Sequence, residues 1–181
     1  MPNPGSLLAV WQRGIETERL RLVAPGPALT QAWEALHTDP QVNRYLYGPQ
    51  MTAADSWRDL AFCIGHAALR GFSMWAIVCR SSGDFLGRVG PWMPEGWPGL
   101  EIGWALDPRV QGRGYATEAA RAALTWTARH LPAAASAIHS LHPDNAPSLS
   151  LAQRLGAQPL GEATISGHQY QVWVSALSDW R

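Results

Sequence analysis

The stretch from Glu101 to Ala119 constrains the fold more than any other part of the chain. It reads Glu101-Ile102-Gly103-Trp104-Ala105-Leu106-Asp107-Pro108-Arg109-Val110-Gln111-Gly112-Arg113-Gly114-Tyr115-Ala116-Thr117-Glu118-Ala119. A short, largely apolar run is stopped by Asp-Pro, turns through two glycines and opens into a helical pattern. Ala116, Ala119, Ala120 and Ala123 recur at i, i+3, i+4 and i+7, so the helix offers small side chains to a sheet and packs close against it. The start of a helix carries free backbone N–H groups and partial positive charge. Glycines let such a backbone approach an anion closely. The turn therefore reads as a diphosphate site.

Two other diphosphate fingerprints are absent. G-x-G-x-x-G fails because position 117 is Thr, and G-x-x-x-x-G-K-[ST] does not occur. That weighs against a different α/β nucleotide-binding enzyme.

The 181 residues suit one domain. Residues 1–14 read as a loose leader and residues 15–181 as the domain. Glu18–Val23 alternates like a strand, and Ala28–His37 reads as a short helix. Thr52 with Asp55 marks a helix start, and Gly71 marks that helix's end. Phe72–Arg80 and Phe85–Trp92 form a hairpin. After the strand and helix described above come a strand over Ala133–Leu141, a helix over Asn145–Leu155 capped by Gly156, and two strands over 158–165 and 168–176. The order is β-α-α-β-β-β-α-β-α-β-β. It predicts a mixed α/β fold: a mostly antiparallel sheet of about seven strands, flanked by helices on both faces.

Charge and cysteine content narrow the function classes. Lys+Arg and Asp+Glu are both 14, so no overall cationic charge speaks for nucleic acid. Two cysteines give no disulfide framework, and no signal peptide or apolar run of about 20 residues appears, so a cytoplasmic protein without a membrane span is expected. No His/Cys/Asp cluster has zinc spacing, so no metal is expected. Most of the ten tryptophans are expected to be core or pocket wall.

Gln111-x-x-Gly114-x-Ala116 resembles the Q/R-x-x-G-x-G/A signature of the GNAT superfamily of N-acetyltransferases. Thr17-Glu18-Arg19-Leu20, Glu101–Trp104, Asn145-x-x-Ser148, Leu155-Gly156-Ala157 and the closing Val172–Trp180 are similar to the branch that acts on N-termini of ribosomal proteins (RimJ/RimL-like). The resemblance covers roughly residues 15–181. Two departures stand out. The usual aromatic after Leu-Gly is Ala157, expected to loosen packing beside the cofactor arm. Gln111 replaces a bulky residue.

The resemblance implies a GNAT-like acyl-CoA N-acyltransferase fold and acetyl-CoA as cofactor. Gln111, Gly112, Arg113, Gly114, Tyr115, Ala116 and Thr117 would cradle the diphosphate. Trp104, Ala105 and Leu106 would offer backbone groups to the pantetheine arm, and Asn145 and Ser148 would contact the same arm. Glu101 would be the general base or bind the acceptor, with a salt bridge or an exposed strand end as the alternative. Ser148 would assist the leaving thiolate, with helix capping as the alternative for both it and Asn145. Tyr45, Tyr47, Trp92 and Trp97, with Leu46 and Met93, would wall the acceptor, an aromatic setting that suits an apolar or planar amine, with ordinary core and turn packing as the alternative. The acceptor is expected to be a small-molecule or peptide amine, and a homodimer is compatible with edge strands and exposed tryptophans. A catalytically degenerate module that binds coenzyme A or a partner is the alternative. Cys63 and Cys79 lie outside the cofactor segment, which argues against a covalent route. His66 is expected on a helix surface, and His139 and His142 as strand and turn residues, with His142 lining the site as the alternative.

Overall fold

The computed structural model describes residues 4–46, 51–165 and 167–181. Helix α1 (Pro4–Gln12) leads into β1 (Ile15–Glu16) and β2 (Leu20–Val23). Helices α2 (Thr30–Thr38), α3 (Pro40–Asn43) and α4 (Ala53–Arg70) follow, then β3 (Trp75–Cys79), β4 (Phe85–Trp92) and β5 (Glu101–Leu106). Helix α5 (Tyr115–His130), β6 (Ser136–Leu141), α6 (Ala146–Arg154), β7 (Gln158–Ile165) and β8 (His168–Ala176) complete the chain.

The strands form one sheet in the order β1-β2-β3-β4-β5-β6-β8-β7. Every pairing is antiparallel except β5 with β6. The sheet has eight strands rather than seven, because Ile15–Glu16 pairs with Arg21–Leu22 as a two-residue edge strand. So short a run carries no readable alternation.

Side-chain alternation along β3 and Met74 just before it separates the two layers. Trp75 and Ile77 enter the core under α1 and α5, while Met74 and Ala76 meet Trp33 of α2 and Leu60 and Cys63 of α4. Both faces are covered, so β3 and β4 are buried along nearly their whole length, while β5 is half-buried at Gly103 and Trp104. Ala119, Ala120 and Ala123 of α5 are fully buried, which lets α5 sit close on the sheet. Thr52 and Asp55 make a reciprocal capping box at the start of α4, and Gly71 ends it at φ +84°.

The leader is not loose. Leu7 and Trp11 of α1 are buried in the main core. Trp11 donates its indole N–H to Ser73 O at 2.7 Å, and Trp75 donates to Trp11 O at 3.0 Å. The two rings stack at 5.9 Å. This segment has a low amphipathic contrast, so its docking residue could be found only from its partners on β3. The last strand, β8, ends at Ala176 as expected, and Leu177–Trp180 after it form a single 3₁₀ turn that buries Leu177.

Candidate active site

A fork in the sheet creates the site. Strand β5 pairs with β4 along its whole length but meets β6 at one position, Glu101 opposite Ile138. Ile138 N–H closes that point on Leu100 O at 2.8 Å. Beyond it, among the described residues, no strand pairs with this edge of β5. His139 fills the angle of the fork. Its Nδ1 donates to Ile102 O at 2.9 Å, which leaves Nε2 to accept from Ser175 Oγ at 2.9 Å. Burial lowers its pKa to about 4, so the ring is neutral at physiological pH.

The turn after β5 is built from backbone. Gln111 Nε2 donates to Leu106 O at 2.9 Å and ties the turn to the strand end. Gly112 and Gly114 stand at φ +74° and +81°, where an L side chain would cost about 1–2 kcal/mol. No side chain caps α5, so its first N–H groups point into the cleft with the helix dipole behind them.

An ion pair from the other end of the chain fixes this turn. Glu118 Oε1 accepts from Thr17 Oγ1 (2.6 Å) and Arg19 N–H (2.9 Å), and Arg19 Nε donates to Glu118 Oε2 at 2.6 Å. Arg19 also donates to Arg113 O at 2.9 Å and lies over the Tyr115 ring. Burial alone would raise the Glu118 pKa; the bonds from Thr17 and Arg19 outweigh it and hold the carboxyl below its ordinary value. The Thr-Glu-Arg-Leu stretch thus acts as a clasp on the first turn of α5.

Two cavities meet along β5. The first, about 930 Å³, runs from Arg19 and the glycine turn past Trp104–Leu106 to Asn145 and Arg154. The second, about 270 Å³, holds Glu101. Tyr45, Leu46, Trp104, Asn145 and Ser148 line both. Trp104 Nε1 donates to Ser148 Oγ at 3.2 Å across this junction. Asn145 is the N-cap of α6, its Oδ1 accepting from Ser148 N–H at 3.2 Å. Capping leaves the Asn145 side-chain amide N–H groups available.

Glu101 is 8% exposed. Its Oε2 accepts from Trp97 Nε1 at 2.7 Å and from Ser140 Oγ at 3.0 Å. Burial pushes its pKa above the ordinary carboxylate value, against the opposing pull of those two bonds and of the Arg88 charge. It makes no salt bridge within 4.0 Å among the described residues, and it does not end the sheet in solvent.

The structure brings most of the expected residues together. Trp104, Ala105, Leu106, Gln111, Gly112, Gly114, Tyr115, Ala116 and Thr117 line the larger cavity; Trp92, Trp97 and Glu101 line the smaller. Arg113 instead is exposed, with its carbonyl bound to Arg19. Met93 gives its N–H to His66 Nε2 at 3.2 Å and lies outside both cavities. Tyr47 lies outside the described residues. Ala157 does not loosen its surroundings: it is buried with Leu141 and Ala152, and the indoles of Trp104 and Trp173 supply the apolar bulk beside it. His66 is not a surface residue. It is buried, donates from Nδ1 to Phe72 O, and stacks on Trp92 at 4.4 Å.

Other contributors were not expected. Asp59, Phe62, Arg88, Ser140 and Tyr170 also line the smaller cavity. Tyr170 donates to Leu46 O at 2.9 Å and so joins β8 to the wall before α4. They come from separate elements and carry no joint spacing in the sequence. His142 is more than a turn residue: it lines this cavity too, with its ring against Tyr45 at 5.4 Å. The cysteines lie apart from both cavities. Burial pushes Cys63 up to about 12, and bonds from Ser81 and Ser82 lower Cys79 to about 7.

Comparison with known proteins places this architecture. The family model described as acetyltransferase (GNAT) domain matches residues 19–158. The chain belongs to the GNAT acetyltransferase family, a class that draws its acetyl group from acetyl-CoA. An acetyltransferase from Agrobacterium tumefaciens str. C58 is similar at 25% identity, with a TM-score of 0.80 over 90% of this chain and 93% of that one. A ribosomal L7/L12 α-N-protein acetyltransferase, RimL, solved with coenzyme A, shares the fold at 19% identity and a TM-score of 0.72, covering 88% of this chain and 95% of that one. The uncharacterized protein YkkB of Bacillus subtilis (strain 168) is 36% identical over 90 residues. That match spans about half of each protein, 48% of this chain and 51% of the relative.

Among the described residues, no helix is long and apolar enough to cross a membrane. Nor does any group of three or more His, Cys, Asp and Glu side chains there have the geometry to hold a metal ion.

Proposed function

We propose that this protein transfers an acetyl group from acetyl-CoA to a primary amine, on a protein N-terminus or a small molecule, by direct transfer in a ternary complex. The observation that carries this reading is the junction at Trp104 and Ser148. There a long cleft suited to an anionic, extended donor opens into a small pocket that holds a buried carboxylate.

The larger cavity fits coenzyme A on the chemistry of its walls. An uncapped helix N-terminus and two left-handed glycines suit a diphosphate. Arg19, Arg121 and Arg154 add cationic charge along the same cleft. The unpaired edge of β5 at Trp104 and Ala105 suits the amides of the pantetheine arm, and so does the free amide of Asn145. Leu106 O contributes less, since Gln111 already serves it.

Acetyl-CoA supplies an activated thioester at the junction. The protein's own residues then manage protons and charge. An amine of pKa about 8–10.4 arrives mostly protonated at pH 7, and only the neutral nitrogen attacks. Glu101 accepts the proton; its raised pKa makes it a better base than an ordinary carboxylate. Ser148 Oγ accepts from Trp104, which leaves its own hydrogen for the departing sulfur. A C–N bond forms and the C–S bond breaks. From the bound ammonium two protons leave nitrogen: Glu101 takes one and releases it to solvent, and the other replaces the proton that Ser148 gives to sulfur, so the products are an amide, a free thiol and one released proton. No cysteine takes part.

The test is the pH dependence of thiol release by Glu101→Gln. Burial disfavours the charged carboxylate, so the wild-type enzyme gains activity as pH rises through a limb above 4.5. Glu101→Gln is expected to lose that limb and to be most impaired near neutral pH. A loss of equal size at every pH would show that Glu101 holds the acceptor without taking its proton.

A further inference from the structure

The smaller cavity restricts which amine it accepts, and this step rests on the amine-acetylating reading above. Its volume of about 270 Å³ lies just below the range of roughly 300–1,000 Å³ usual for ligand pockets. The wall is aromatic: Phe62 packs edge-on to Trp92 at 5.0 Å, and Trp97, Trp104 and Tyr170 continue it.

Away from Asn145 and Ser148 at the junction with the cleft, much of that wall's donor capacity is already engaged. Trp97 and Ser140 both donate to Glu101 Oε2, Trp104 donates to Ser148, and Tyr170 donates to Leu46 O. An acceptor rich in hydroxyls would shed water there and find few donors in exchange. An apolar body loses nothing by entering and gains from leaving water.

The floor has the same character. A Cβ on Gly103 would stand 2.8 Å from Met74 Cε and 3.4 Å from Glu101 Oε1. Because Gly103 has none, a flexible thioether methyl lies beside the carboxylate in place of a strand side chain. Charge adds an attraction for an ammonium group. Glu101 and Asp59 against the single Arg88 favour a cationic acceptor, and Glu101 is the carboxylate beside the junction with the cleft.

We infer that the acceptor is a small primary amine carried on one apolar, ring-sized body, an arylalkylamine in chemical class. Gly103 and Met74 set the depth available to the ring, and Glu101 binds the ammonium.

The experiment is thiol release from acetyl-CoA by the full chain with four amines: 2-phenylethylamine, glucosamine, spermidine and a serine-initiated tetrapeptide. The expected kcat/KM for 2-phenylethylamine exceeds each of the others by roughly 100-fold, the scale on which a site built for one polarity rejects another. Gly103→Ala is expected to reduce that value about 10-fold, by moving Met74 into the ring's space, with the acetyl-CoA Kd unchanged. Equal or better turnover of the sugar, the polyamine or the peptide overturns the acceptor class and leaves the acetyltransferase reading standing. Thiol release with none of the four overturns both.

Discussion

The donor cleft and the acceptor pocket share β5, yet they are made of different material. The cleft is mostly backbone: one stretch of chain supplies a strand edge, a glycine turn and a helix start. The pocket is mostly side chains, gathered from α4, β4, β5, β6, α6, β7 and β8, with Met74 from just before β3. Their charges differ as well. Three arginines face two glutamates along the cleft, whereas two carboxylates face one arginine in the pocket. A backbone site is tied to a spacing, so it survives drift in side chains and keeps one ligand. A side-chain site can be rebuilt at each position, so it is where acceptor choice resides.

That contrast predicts which variants affect which ligand. Glu101→Gln should show the largest effect on turnover, roughly 10²–10⁴-fold for a lost general base, with acetyl-CoA affinity unchanged by calorimetry. An equal loss in both quantities would break the division between the two sites. Ser148→Ala comes next. It removes one hydrogen bond to developing charge, worth about 10–100-fold in kcat, and single-turnover rates measure it. Arg19→Ala is smaller, since its guanidinium is 43% exposed and solvent screens the pair with Glu118. We expect about 3–10-fold weaker acetyl-CoA binding with kcat intact; a fall in kcat instead would place the Arg19–Glu118 clasp in the acceptor chemistry.

The same contrast decides what was legible in the sequence. The cleft could be read because Glu101–Ala119 is contiguous and its glycines, Asp-Pro stop and alanine face each have a local physical meaning. The Thr52–Asp55 capping box and the Gly71 and Gly156 helix ends were legible for the same reason. Arg19 was visible only as part of a resemblance, because its partner Glu118 lies 99 residues away. Helix α1 was missed because what orders it is tertiary: Trp11 is held by Ser73 and Trp75. Glu101 stood out as a carboxylate opening an apolar strand, but its bonds to Trp97 and Ser140, and the nearby Arg88 charge, belong to the folded sheet alone. Tyr170 and Phe62 carried no signal at all, since an aromatic on a strand or helix reads as core until its neighbours are known.

The most direct test of the division is calorimetric titration of acetyl-CoA into the wild type, Glu101→Gln and Gly114→Asp. Gly114 stands at φ +81°, and a Cβ there would lie 3.3 Å from Arg19 Nη2; an aspartate would also set a negative charge where the diphosphate belongs. The account predicts equal binding by the wild type and Glu101→Gln, and at least about 100-fold weaker binding by Gly114→Asp, on the scale of a few kcal/mol for a buried like-charge contact. Undiminished binding by Gly114→Asp would contradict it, and the glycine turn would no longer be the donor site.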